Sequence, residues 1–192
     1  MTRLILIRHG ETDWNIEGRW QGQADVALNQ TGWRQAQEMA HALEAAGITA
    51  IYSSDLLRAR QTAQVLADAC GLPVHLDSRL REIHQGDWQG MLSSEIQARH
   101  AQAYQDQKQD PLSFAPPGGE TAVEVRQRIV SAAQDLIRLH PGDTIAVVSH
   151  GFALAILIAH LRGEQFDRVW NLIPANGQWV VVDAMLQDSS LE

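Results

Sequence analysis

The chain has 192 residues, 15 of them Lys or Arg and 23 Asp or Glu, so its net charge is −8. That length suits a single domain, since a chain of this size buries roughly 70% of its unfolded surface. An acidic protein without a basic block is a poor partner for nucleic acid or an anionic membrane, and any cations that meet an anionic ligand must be gathered locally in a pocket.

Met1 leads almost at once into Leu4-Ile5-Leu6-Ile7, with no signal-peptide core before it. The run reads as a fully buried strand. Residues 31–46 read as an amphipathic helix with Trp33, Ala36, Met39, Ala40 and Leu43 on one face and Gly47 stopping it. Residues 48–54 form a second strand and residues 56–70 a helix ended by Gly71 and Pro73, with residues 74–76 as a short strand. Residues 93–104 are predicted helical, and residues 105–119, polar with three prolines, a surface loop or lid. The expected lid or loop insertion spans about 91–120 in all. Thr121 with Glu124 makes a capping box that opens a long helix, with Val125, Ile129, Ala132, Ala133 and Leu136 on its buried face. Thr144–Ser149 is another buried strand, residues 152–161 a buried helix too short to span a bilayer, and residues 178–183 a last strand entered from Asn176-Gly177. Strands alternating with helices predict one α/β domain over residues 1–192, a three-layer α/β/α sandwich with a mostly parallel sheet. Cys70 is the only cysteine, so no internal disulfide can form. The expectation is a soluble, cytoplasmic protein, monomeric or homodimeric.

Two strands run into a His-Gly pair, at His9-Gly10 and His150-Gly151. Ligands of an open α/β sheet sit beyond the carboxyl ends of its strands. Glycine there lets backbone approach a ligand, and a following helix or turn offers N–H groups to an anion. A third strand end, Tyr52-Ser53-Ser54, leads to Arg58. Singly, each has a plain reading: a packed histidine, or a solvated helix arginine. Arg8 resists it, because it directly follows four apolar residues and arginine is rarely buried without an anionic partner. His41, His75, His100, His140 and His160 have no matching partners or metal-binding spacing, and no metal is expected.

The segment LIRHGETDWN resembles the signature of the histidine phosphatase superfamily, in its phosphoglycerate-mutase-like branch. Residues 18–32, 51–63, 80–90, 116–121 and 147–151 resemble further blocks of that branch, in the same order. The resemblance implies that His9 is the nucleophile and forms a phosphohistidine. Arg8, Arg58 and His150 would clamp the phosphoryl oxygens. Asn15, Gln21, Gly22 and Gly151 would complete the cradle, and Glu82 would act as general acid and then base. It implies no metal and no cofactor, and a small phosphate monoester as partner. Such roles are physically coherent: two guanidiniums and an imidazolium offset the charge of a phosphate dianion, and neighbouring arginines hold a nucleophilic imidazole neutral.

Phosphatases and mutases share this nucleophile. The short span between Glu82 and His150, where the family's mutases tend to be longer, and Gln85-Gly86-Asp87-Trp88-Gln89-Gly90 after the glutamate resemble the family's phosphatases, so the resemblance implies hydrolysis. A cofactor-dependent phosphoglycerate mutase is the alternative. A non-catalytic phosphate-binding protein ranks last, because both His9 and Glu82 are present. His84, Gln85, Gln89 and Trp20 depart from the phosphatase pattern where the leaving group would lie. His84 is either a substrate contact or a bystander, and Trp14, Trp20 and Trp88 either line the mouth or pack beneath it.

Overall fold

A computed structural model describes residues 1–185. Its sheet has five strands, β1 (Thr2–Arg8), β2 (Ile48–Ser53), β3 (Val74–Leu76), β4 (Thr144–Ser149) and β5 (Trp179–Ala184), in the order β3-β2-β4-β1-β5. All neighbours are parallel except β5, which runs antiparallel to β1. The apolar run in β1 lacks polar alternation because both its faces are covered. Leu4 and Leu6 enter one core and Ile5 and Ile7 the other. The first core is shared with helices α6 (Ala122–Leu139) and α7 (Gly151–Arg162), the second with α2 (Gln30–Leu43) and α3 (Leu57–Cys70). This is the three-layer arrangement expected.

Helix α6 buries Val125, Ile129, Ala132, Ala133 and Leu136, the expected stripe, and Thr121 and Glu124 close the capping box. Helix α7 is buried from Gly151 through Ala159, so it has almost no amphipathic signal. Two expectations on α2 need correction. Trp33 is 38% exposed, and the helix ends at Leu43, before Gly47. The short helix α1 (Asp13–Glu17) was not anticipated, although Thr12 and Asn15 form its capping box.

The segment 91–120 is more helical than predicted. Helix α4 (Ser93–Arg99) breaks at His100, and α5 (Ala101–Gln109) continues where a loop was expected. No residue of α5 is buried, so its sequence carries no apolar stripe. Its helical signal lies in polar pairs one turn apart, such as the Gln102 amide donating to Asp106 at 2.9 Å.

Gly10 serves packing more than ligand approach. A Cβ there would lie 2.4 Å from the carbonyl oxygen of Gly32, where α2 crosses the loop after β1. Backbone is on both sides, so neither can yield without moving an element. Gly10→Ala is expected to destabilise the protein by about 1–3 kcal/mol, measured as a lower urea midpoint at unchanged slope. An unchanged midpoint would mean that this crossing is loose.

Candidate active site

Strands β1 and β4 are paired in register, Arg8 opposite Ser149. The His9 N–H donates to the Ser149 carbonyl at 3.0 Å, which sets His9 beside His150. The two rings lie 5.2 Å apart, tilted by 57°, and both are buried. His9 Nδ1 sits 2.6 Å from the Gly10 carbonyl oxygen. A carbonyl only accepts, so Nδ1 carries the proton and Nε2 keeps its lone pair. Arg58 Nε donates to that Nε2 at 3.2 Å. His150 Nε2 lies 2.8 Å from the Ser54 hydroxyl, while its Nδ1 is buried without a partner among the described residues. Burial first, and the Arg58 charge second, push both imidazoles well below the usual histidine range. Arg8 adds to the effect on both, ranking below the His9 and Arg128 contributions at His150. In the ligand-free protein both rings are neutral at pH 7.

Arg58 stands in the first turn of α3 and is 1% exposed. Its Nη1 donates to the Ala24 carbonyl and its Nη2 to the Gly22 carbonyl, each at 2.7 Å. Burial lowers its pKa to about 10, so it stays charged at neutral pH. Arg8 Nη1 donates to the Pro174 carbonyl at 2.7 Å, and its Nε is buried without a partner among the described residues. Gly151 lies against this guanidinium: a Cβ there would be 3.2 Å from Arg8 Cζ. The second His-Gly glycine therefore makes room for an arginine, where the sequence suggested room for a ligand.

Glu82 approaches from the loop after a 3-10 turn at Ser78–Leu80. Its Oε1 accepts from the Ile83 N–H at 2.9 Å and the Ala153 N–H at 3.0 Å, and its Oε2 from the Phe152 N–H at 3.1 Å. The carboxyl thus docks on the N-terminus of α7, where free N–H groups and the helix dipole hold an acid. Its own carbonyl accepts from Arg128 Nη2 at 2.8 Å and from Gln23 Nε2 at 3.0 Å. Arg128 also grips both carboxylate oxygens of Glu120, each at 2.9 Å, and Glu120 accepts the His84 N–H at 2.8 Å. Neither Arg128 nor Glu120 stood out in sequence. The available signal was a charge at 128, beside the buried Ile129 on the α6 stripe.

The repeated Trp-Gln-Gly segments have a shared use. Trp20 N–H donates to the Met91 carbonyl at 3.0 Å and Gly90 N–H to the Trp20 carbonyl at 2.8 Å, so the two segments lie antiparallel. Gln89 Oε1 accepts the Gln23 N–H at 2.7 Å, which anchors the Gln21-Gly22 loop. Gly22 has φ +52 and a Cβ there would meet Gln89 Oε1 at 2.5 Å, so no side chain fits. Asn15 Oδ1 accepts from both the N–H and the hydroxyl of Thr12 at 3.0 Å, and its Nδ2 donates to no protein group among the described residues.

Arg8, His9, Asn15, Gln21, Gly22, Arg58 and Glu82 all line one cleft of about 550 Å³, and His150 and Gly151 lie behind its floor. Gln85 and Trp20 line it too, while His84 does not: its Nδ1 accepts the Gly86 N–H at 3.0 Å. Trp88 is fully buried and packs under the mouth, and Trp14 lies over Gly90. Arg19, Lys108, Phe114, Phe152 and Trp170, which the sequence did not single out, complete the walls. No group of three or more metal-ligating side chains occurs among the described residues. None of the described helices is long and apolar enough to cross a membrane.

Residues 4–191 match the family model of the histidine phosphatase superfamily (branch 1), and the chain belongs to that family. It is 37% identical over 187 residues to a glucosyl-3-phosphoglycerate phosphatase of Mycolicibacterium vanbaalenii, covering 93% of this chain and 82% of that one. It is 37% identical over 171 residues to the "Probable phosphoglycerate mutase GpmB" of an Enterobacter species, covering 85% and 76%. Among solved structures, the α-ribazole phosphatase from Shigella flexneri superposes with a TM-score of 0.89 at 31% identity, covering 94% of this chain and 90% of that chain.

The buried imidazoles have a consequence for stability. Their folded-state pKa values lie below the unfolded value of about 6.5, so the unfolded chain binds more protons in acid. Their contribution is complete above that pH and is lost progressively as pH falls below it. Urea midpoints measured from pH 8 to pH 5 should fall below about pH 6.5, and His9→Gln/His150→Gln should flatten that limb. An equally steep limb in the double variant would contradict the neutral assignment.

Proposed function

We propose that this chain hydrolyses small phosphate monoesters through a phosphohistidine on His9. The observation that carries the reading is the His9 ring: Nδ1 is committed to the Gly10 carbonyl and Nε2 is turned toward Arg58. An arriving phosphoryl group would take over the Arg58 Nε–H, freeing the Nε2 lone pair. Nε2 then attacks phosphorus, the N–P bond forms as the ester O–P bond breaks, and the Nδ1–H stays on the Gly10 carbonyl.

Charge favours this step. Arg8 and Arg58 bring two permanent positive charges to the cleft floor. The unpartnered Arg8 Nε and His150 Nδ1 are donors or potential donors for phosphoryl oxygens, and a bound dianion would draw a proton onto His150. Asn15 Nδ2 and the loop at Gln21-Gly22 supply further contacts, and Gly151 keeps Arg8 in line. Glu82 gives a proton to the leaving oxygen. In the second step it takes a proton from water as that water attacks phosphorus and the N–P bond breaks. Inorganic phosphate leaves and the imidazole returns neutral.

Relatives named as phosphatases support hydrolysis, and one named as a mutase keeps transfer as the second reading. Transfer would need a bisphosphorylated primer and would isomerise a phosphoglycerate without releasing phosphate. We further propose a single domain over residues 1–192 with residues 91–120 as a lid, a cytoplasmic location, a monomer or homodimer, and no nucleic-acid or membrane partner.

Phosphate release from a panel of monoesters, assayed in excess chelator, tests the reading. Wild type should release phosphate, His9→Ala should release none, and Glu82→Gln should be slower by about 10²–10⁴. A phosphorus NMR signal of phosphohistidine should appear in trapped wild type and vanish in His9→Gln. Retention of that signal in His9→Gln would refute the assignment of the nucleophile.

A further inference from the structure

The cleft holds more positive charge and more aromatic wall than a phosphoryl group needs. Its charged lining is Arg8, Arg19, Arg58 and Lys108 against Glu82 alone, in a chain whose acids outnumber its bases 23 to 15. Arg8 and Arg58 belong to the floor. Arg19 is already partnered, by Glu17 at 2.5 Å and the Gly90 carbonyl at 2.8 Å. Lys108, near the end of α5, is different. Its ammonium lies 4.8 Å from the Tyr104 ring centroid, and it makes no ion pair with any described carboxylate.

The walls between are flat, apolar and held in place. Phe152 stacks on Trp170 with centroids 4.6 Å apart at 27°. Phe114 stacks on buried Trp88 at 5.5 Å and 26°. Trp20 meets Trp88 edge-on at 5.6 Å and donates its indole N–H to the Ser93 hydroxyl at 2.9 Å. Rigid rings of this kind favour a ligand surface that is itself flat or apolar. A cleft of about 550 Å³ also exceeds what a compact three-carbon leaving group fills.

We infer that the cleft selects monoesters whose leaving group has an aromatic or extended apolar body and an anionic group at its far end, and that Lys108 is the specificity residue for that group. The inference rests on the phosphatase reading above and names the substrate class of the same site. The phosphoryl group takes the floor, the apolar body lies between the ring pairs, and the distal anion meets an ammonium that no described carboxylate neutralises.

The test uses aryl phosphates of two lengths, 4-carboxyphenyl and 4′-carboxybiphenyl-4-yl phosphate, each beside its carboxamide. The quantity read is the ratio of kcat/KM for carboxylate over carboxamide, in wild type and in Lys108→Met. Differences in leaving-group reactivity cancel when the two ratios are compared. The preference for the carboxylate should fall about five-fold in Lys108→Met for at least one length, the size expected of one partly exposed ion pair. Wild type should also prefer phenethyl phosphate over ethyl phosphate by about ten-fold. Equal ratios in the two proteins at both lengths, or no preference for phenethyl phosphate, would overturn the inference while leaving the phosphatase standing. Absence of phosphate release from every ester by wild type would instead remove the phosphatase reading, and this inference with it.

Discussion

Everything at the cleft floor depends on two guanidiniums that donate to main-chain carbonyl oxygens, Arg58 fully buried and Arg8 partly so. Arg58 donates to the carbonyls of Ala24 and Gly22, and Arg8 to that of Pro174, its Nε being left without a partner among the described residues. A carboxylate partner would neutralise them, and the cleft would then have nothing to offer an anion. Carbonyl oxygens meet the hydrogen-bonding need and leave the positive charge in place. The same field, with burial, keeps His9 and His150 uncharged in the ligand-free protein. Among the described residues Glu82 is the one acid in the lining, and the backbone N–H groups of Phe152 and Ala153 hold it on α7. The acid is thus fixed by main chain, and an arginine need not bind it.

That arrangement explains why an acidic protein can serve an anionic substrate. Most of its acids lie outside the cleft, and exposed pairs such as Asp183 with Arg3 or Asp135 with Arg138 add little to stability. The cations that matter are placed by strand ends and helix starts: β1 delivers Arg8 and His9, β4 delivers His150, and α3 delivers Arg58. A second tier fixes the loops that no strand controls. Arg128 and Glu120 tie down the backbone around Glu82, and the paired Trp-Gln-Gly segments tie down Gln21-Gly22.

The three-layer fold was legible because both faces of β1 and β4 are covered and the chain spells this out as uninterrupted aliphatic runs. The floor residues were legible because a strand end followed by His-Gly is a local pattern that a known family shares. Other features were not legible, for physical reasons. The reasons for Gly10 and Gly151 are contacts with Gly32 and Arg8, distant in the chain for one and across the sheet for the other. Helix α5 has no buried face, so its 105–109 stretch read as loop. Arg128 acts on carbonyls nearly fifty residues away, and no local spacing reports that. Trp170 reaches the cleft from a 3-10 segment, Phe166–Leu172, that has neither period. Local periodicity finds elements, and long-range hydrogen bonds to main chain escape it.

The proposed chemistry requires His9 to be a neutral imidazole with its proton on Nδ1 and an unprotonated Nε2. Nitrogen-15 NMR of the histidine side chains, recorded without ligand from pH 5.5 to pH 8, tests this directly. His9 should stay neutral over that whole range, with a protonated Nδ1 and an unprotonated Nε2. A proton on Nε2, or an imidazolium at pH 7, would contradict it.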